Sequence, residues 1–265
     1  MIRRLNLAGL VLALLTLAAS VAWAYPLVWA IRTTVVPRAD GSVWDGLAVY
    51  ANALFNSPIG LWYFNSLVTS GTVTAVVIGI SAAAGYAISQ LEFHGRKLLW
   101  YTILASFMIP VQALIVNHFL LMNSWKLINT WAGVILPQLI APVAVIVYKQ
   151  FFDSMPKELS EAARVDGASH ARVLWSIYLP ANWGVTAALA IIVFIGAWNA
   201  FLWPFLVVTK EPLMNITVAI GQAEQYLGVS GLAAALLAGL PVAIVYLVFQ
   251  RKVTEAIMLS SGIKG

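Results

Sequence analysis

Cysteine is absent from this sequence. That excludes disulfides, thiolate metal sites and thiol catalysis, and leaves the compartment open. Charge is scarce: Asp, Glu, Lys and Arg make up 9% of the residues, against about 25% in a soluble domain. Hydrophobic residues make up 62% and the mean hydropathy is +0.89. No soluble fold of this size hides so much apolar surface, so the expected class is an all-α, polytopic membrane protein. The ~10-residue alternating segments of a membrane β-barrel are missing. So is the phosphate-binding pattern G-x-x-x-x-G-K-[ST]: the glycines of "GVSGLAAALLAGL" lack its lysine, and no nucleotide site is expected on this chain. Aspartate and glutamate are missing from the apolar stretches, which argues against a proton-coupled carrier.

About six apolar stretches remain, at 7–31, 64–88, 98–122, 131–151, 185–207 and 229–249. Each is near the ~20 residues that cross ~30 Å of hydrocarbon. Arg3 and Arg4 precede the first stretch, and His94, Arg96 and Lys97 fill the second short loop. Lys149, Lys157, Arg164 and Arg172 flank or occupy the fourth loop, and Arg251, Lys252 and Lys264 follow the last stretch. The opposite side holds only Arg32, Arg38, Lys126 and Lys210. Basic residues accumulate in cytoplasmic loops, so both termini and the fourth loop are expected in the cytoplasm. The net charge of +5 is split among short loops rather than gathered in a stripe, which argues against nucleic acid. The N-terminal run mimics a signal peptide but continues through "YPLVWAI", longer than a usual signal core, so a retained first helix is expected.

The fourth loop holds "ELSEAARVDGAS", residues 158–169. Ser154 and Pro156 read as a helix start, and Glu158 as a charge suited to that N-terminus. Gly167 reads as a left-handed stop. Ser169 then caps a second short helix, "HARVLWSIY", which ends before Pro180. Leu159, Ala162, Ala163 and Asp166 share one helical face. Small residues there permit close approach, and Glu161 offers an acceptor to a bidentate arginine. Two readings stand at this point: a docking helix, or a solvated amphipathic loop.

"EAARVDGASHARVLWSIYLP" resembles the EAA motif of the membrane subunits of bacterial ABC importers, through Glu161, Ala162, Ala163, Gly167, Ile177, Leu179 and Pro180. The Asp166-Gly167-Ala168 variant looks like the carbohydrate-uptake branch, which includes the smaller maltose permease subunit. "YFNSLVTSGTVTAVVIGISAAAGYAISQLEFHGRKLL", "MIPVQALIVNHFLLMNSWKLINTWAGVILPQL", "FIGAWNAFLWPFLV" and the tail "FQRKVTEAIMLSSGIKG" are similar to the same branch, together covering most of the chain beyond residue 60. The chain departs from it at "LPANWG", where Trp183 and Gly184 replace a frequent second proline.

The resemblance implies a single permease domain over residues 1–265 with a type I importer transmembrane fold. It places a coupling loop at 153–180, where Glu161, Ala162, Ala163 and Gly167 meet a cytoplasmic ATPase and Asp166 joins them less directly. It implies as partners two ATPase subunits, a second permease subunit forming a heterodimer, an extracytoplasmic solute-binding protein, and membrane lipid. ATP and Mg would be bound by the ATPase, leaving this chain without a cofactor and without catalysis. The expected function is import of a sugar or sugar-like solute across a bacterial inner membrane. A non-sugar solute, or a secondary carrier or channel, is the alternative. An intramembrane enzyme would need a nucleophile–base pair or paired carboxylates in the spans, which hold neither.

For the solute path, Gln112, Asn117, Trp198 and Asn199 stand out. Gln112 lies 14 residues beyond Leu98, and Asn199 17 beyond Asn182. At ~1.5 Å per residue both reach ~20–25 Å from the cytoplasmic side. Amides in spans also bridge helices, as do Asn65, Ser66 and Gln138 on the alternative reading. His118 reads as an interfacial packing residue, having no second ligand at metal spacing. Trp29, Trp125 and Trp131 read as interfacial anchors. Two outer segments, 33–63 with Asp40, Gly41 and Pro58, and 209–228 with Glu211, Pro212 and Gln222, read either as contacts for the binding protein or as plain loops.

Overall fold

The computed structural model describes residues 7–36, 42–222 and 231–260, and every regular element among them is helical. Arg3, Arg4, Arg38, Asp40, Gly41, Lys264 and residues 223–228 lie outside the described residues. By their contacts the residues fall into two units, 1–60 with 220–240 and 61–219 with 241–265.

In the first unit, α1 (Leu7–Val35) is apolar throughout and tolerates Pro26 in its interior, as membrane helices do. Its Leu12, Leu15 and Trp23 side chains are exposed, which suits a helix facing lipid. The segment 33–63 is more than a loop: α2 (Val43–Phe55) forms there. It starts where Asp45 Oδ2 accepts the Ser42 N–H at 2.8 Å, one half of a capping box. Tyr50 Oη donates to Thr34 Oγ1 at 2.6 Å. A Cβ on Gly46 would lie 2.0 Å from Val35 O, so only glycine lets α2 close on the end of α1.

The second unit is built on α3 (Ile59–Gln90), whose 32 residues make a rod about 48 Å long. Among the described residues, length and hydropathy give three single-helix spans, Gly9–Val35, Ile59–Gln90 and Gly231–Gln250. The last belongs to α14 (Gly231–Ser260). The expected third, fourth and fifth stretches are not straight helices. Arg96–Phe107 (α4) meets Val111–Ser124 at 93°; the latter is a 3-10 turn followed by α5 (Ile115–Ser124). Trp131–Leu139, which begins with α6 (Trp131–Ile135), meets α7 (Pro142–Asp153) at 47°. His170–Ala181, which ends in α10 (Leu179–Ala181), meets α11 (Trp183–Trp198) at 87°. The first two breaks coincide with Pro110 and Pro142, which lack the N–H that would continue a helix. Counted as one span each, the bent pairs bring the total to six.

Polar side chains of α3 tie the second unit together. Asn65 Nδ2 donates to Pro212 O at 2.9 Å and Met214 O at 3.0 Å, while its Oδ1 accepts from Trp131 Nε1 at 3.1 Å. Ser66 Oγ accepts from Ile216 N, the first residue of α13 (Ile216–Ala219), and Thr69 Oγ1 from Asn215 Nδ2. Asn65 and Ser66 therefore bridge elements, the structural one of the two roles open to them. Beside Trp131 in sequence, Asn129, with φ +59, accepts the Thr209 and Lys210 N–H groups on its Oδ1. At the other end of α3 an aromatic cluster forms the core: Tyr86, Tyr148, Phe152 and Tyr178 pack with ring centroids 5.1–6.4 Å apart. A Cβ on Gly85 would lie 2.7 Å from Tyr148 Cβ, so the α3 and α7 backbones meet there.

Candidate functional site

The loop between α7 and the bent pair folds as its sequence predicts, with two differences. Helix α8 (Lys157–Val165) begins after Pro156 at φ −58 and ψ 130. Ser154 does not cap it. Ser154 closes α7 instead, its Oγ donating to Phe151 O at 2.7 Å. At the far end Gly167 has φ +81. Gly167 N donates to Arg164 O at 3.0 Å and Ala168 N to Ala163 O at 2.9 Å, which is a Schellman closure. Ser169 Oγ then accepts Arg172 N at 3.3 Å and starts α9 (His170–Val173). The second helix does not stop before Pro180. It continues to Ala181 through a wide turn at Leu174–Tyr178, where Leu179 N bonds back to Leu174 O. That i→i−5 bond opens the coil where the proline ring would otherwise meet a carbonyl.

Burial divides α8 into two faces. Ser160 is 9% exposed, and Ala163 packs against the aromatic core that holds Tyr86, Phe152 and Tyr178. Glu158, Leu159, Glu161, Ala162, Val165 and Asp166 are exposed. The two alanines of the motif thus separate: at 100° per residue, Ala163 joins Ser160 on the inner stripe and Ala162 turns outward. Val165, 88% exposed, is an apolar knob that the sequence reading missed; its signal was an apolar residue on the charged side of the helix.

A network below fastens the loop. Arg164 Nη1 lies 2.6 Å from His170 Nε2, and His170 Nδ1 lies 3.4 Å from Tyr86 Oη. A guanidinium only donates, so Nε2 supplies the lone pair and the ring proton sits on Nδ1, toward Tyr86. Ser89 Oγ donates to Asp153 Oδ1 at 2.7 Å, Lys149 pairs with Asp153 at 2.5 Å, and Gln90 Nε2 donates to Phe152 O at 3.0 Å. Between the end of α3 and α8 lies a cleft of about 630 Å³. Glu92, Lys157, Glu161 and Arg164 supply its charges, and Glu161 has no ion pair among the described residues. The side chains fixed beneath α8 connect it through α9 to α3 and α7.

Of the path residues, Gln112 lines a second cavity of about 520 Å³ with Ile115, His118, Gln138 and Trp203. Asn117 and Asn199 are exposed and do not line it. Trp198 is 3% exposed and stacks on Tyr63 at 6.2 Å. The helical rise used to place Gln112 does not apply, because α4 ends at Phe107 and the chain turns.

Residues 75–257 match the family described as binding-protein-dependent transport system inner membrane component. The chain is 31% identical over 207 residues to the arabinooligosaccharides transport system permease protein AraQ of Halalkalibacterium halodurans, covering 77% of this chain and 74% of AraQ. It is 30% identical over 254 residues to the sulfoquinovosyl glycerol transport system permease protein SmoH of Agrobacterium fabrum, covering 91% and 89%. Among solved structures, a chain of a bacterial ABC transporter involved in the import of the acidic polysaccharide alginate superposes with a TM-score of 0.81 at 20% identity, over 95% of this chain and 98% of that one. The fold is that of a type I importer membrane subunit. The chain belongs to the family of binding-protein-dependent transport system inner membrane components.

Proposed function

We propose that this chain is one of two permease subunits of an ATP-driven importer and passes a sugar or sugar-like solute into the cytoplasm. ATP and Mg bind to separate ATPase subunits, and the chain itself does no catalysis. The loop 153–180 faces the cytoplasm with both termini. Its helix α8 seats in a cleft of an ATPase, with Glu161 paired to a basic group, Ala162 allowing close contact, and Gly167 holding the turn. Asp166 lies at the edge of that contact, and Ala163 serves from the inside by packing α8 on its own bundle.

The observation that carries this reading is the two-faced helix. Its inner face is bonded and packed to α3, α7 and α9, while its outer face presents Glu161, which has no ion pair among the described residues, and two exposed apolar side chains, Leu159 and Val165. Names of relatives that carry arabinooligosaccharides or sulfoquinovosyl glycerol support a saccharide-like solute. A solute-binding protein on the outer side is supported by the family's description. Grouping of basic residues supports the orientation: Arg96, Lys149, Lys157 and Arg164 gather around the loop, and Lys210 stands by Asn129 in a separate cluster. The test is uptake into proteoliposomes holding both permease subunits, the ATPase pair and the binding protein. Uptake should require ATP and stop when the ATPase is left out. Uptake by the permease alone would refute the proposal.

A further inference from the structure

Three of the backbone breaks among the described residues of the second unit converge. Val111 and Gln112 follow the break after α4, Ile140 sits at the break before α7, and Ala200 and Phe201 lie in a further break, before Leu202 opens α12 (Leu202–Val207). All of these residues line the 520 Å³ cavity. Each break lies within the membrane's reach of the loop end. Helices α4 and α7 have 12 residues each and α11 has 16, or about 18 Å and about 24 Å, inside the ~30 Å hydrocarbon. Non-helical backbone at that depth is tolerated only when it is buried in protein or lines a polar cavity, because lipid cannot bond its N–H and C=O groups.

The side chains at this cavity have the chemistry of a saccharide site. The Gln112 amide has no hydrogen-bond partner among the described residues and lines the cavity. Gln138 Nε2 is used by Val134 O at 2.8 Å, leaving its carbonyl oxygen to accept. His118 stands edge-on to Trp203, ring centroids 6.1 Å apart. Trp203 is held in place by its Nε1 donating to Gly133 O at 3.1 Å. Two amides and a fixed aromatic wall suit a ring with hydroxyls on its edge and C–H groups on its face. Among the described residues lining the cavity there is no Lys, Arg, Asp or Glu, so none of them would neutralise an acidic sugar.

We propose that this chain itself holds a solute subsite at Gln112, His118, Gln138 and Trp203, and that its solute is an uncharged saccharide. The inference rests on the importer reading above. It is tested on the complete transporter with its binding protein in proteoliposomes, using a neutral arabino-oligosaccharide and an acidic alginate oligosaccharide as probes at saturating binding protein. Gly196 lines the cavity, and a Cβ there would meet nothing within 4 Å, so Gly196→Leu fills the space without a clash at its root. Gly79, also open, lies outside the cavity, and Gly79→Leu is the control.

The expected results are ATP-driven uptake of the neutral probe in preference to the acidic one and a loss of more than about tenfold for Gly196→Leu, which plugs the cavity. Gln112→Ala should lose about fivefold, the worth of one hydrogen bond. Solute moved per ATP should fall in both, and Gly79→Leu should stay within about twofold, as expected of a site that adds no clash. Neutral uptake that is unchanged in Gln112→Ala and Gly196→Leu overturns the subsite and leaves the importer reading standing. Preference for the acidic probe overturns the solute class. Loss of subunit assembly in both variants, with transport per assembled complex unchanged, assigns the cavity to a helix of the second permease subunit and overturns the subsite. Failure of the wild-type transporter to move either probe counts against the saccharide reading itself.

Discussion

Replacing Gly167 by alanine isolates the backbone geometry of the loop from its side-chain contacts. Gly167 has φ +81, and a Cβ added there would meet nothing within 4 Å. The cost is therefore conformational alone, about 1–2 kcal/mol for an L-residue held in the left-handed region. The Schellman bonds from Gly167 N and Ala168 N need that geometry, so alanine shifts the loop toward conformers in which α8 ends differently. An energy of that size changes a population about 5- to 30-fold. Affinity of the purified permease pair for its ATPase, and solute-stimulated ATP hydrolysis, should fall within that range for Gly167→Ala and further for the β-branched Gly167→Val. Gly167→Asn should lose less, since asparagine tolerates the left-handed region. If alanine and valine both leave association and stimulated hydrolysis at wild-type values, the loop's turn does not position the coupling helix.

Three other perturbations probe the frame that holds the loop. Gly85→Ala drives a Cβ to 2.7 Å from Tyr148 Cβ, so α3 and α7 must part at a cost of about 1–3 kcal/mol; a lowered unfolding midpoint of the detergent-solubilised complex checks it. Asn65→Leu leaves Pro212 O, Met214 O and Trp131 Nε1 without their partner, costing about 3 kcal/mol, and should speed tryptic cleavage at Lys210; unchanged cleavage would count against the tether. His170→Ala frees Arg164 and Tyr86 and should lower stimulated ATP hydrolysis about fivefold, the value of one hydrogen bond, with partial recovery in His170→Gln; wild-type hydrolysis in the alanine variant would remove the network from the coupling path.

Much of the loop was legible before the structure because its signals are local. Proline before a helix, a glycine after it and a serine opening the next are read within a few residues, and the Gly167 turn and the Ser169 cap formed as expected. The six apolar stretches were legible because burial in lipid needs only length and hydropathy. Their breaks were not. A 20-residue average is blind to a bend at Pro110 or Pro142, since membrane helices also carry unbroken prolines, as α1 and α14 do at Pro26 and Pro241. The break after Asn199 has neither proline nor glycine to mark it. Helix α2 had a readable start, serine followed three residues later by aspartate, overlooked because its 13 residues are too few to span. Gln112 came into the second cavity, while Asn117, Trp198 and Asn199 did not, because depth along a straight helix says nothing about which way a bent one faces.

The claim on which the rest depends is that α8 is the seat of the ATPase, and the absence of cysteine gives a direct route to it. An Ala162→Cys permease carries one thiol, on the outer face of α8. With a short bifunctional thiol-to-amine reagent in native membranes, that thiol should crosslink to the ATPase subunit, with a yield that changes on adding ATP. A Thr209→Cys permease, whose thiol stands beside Asn129, should give no such product. Crosslinking to the ATPase from position 209 and not from 162 would contradict the account.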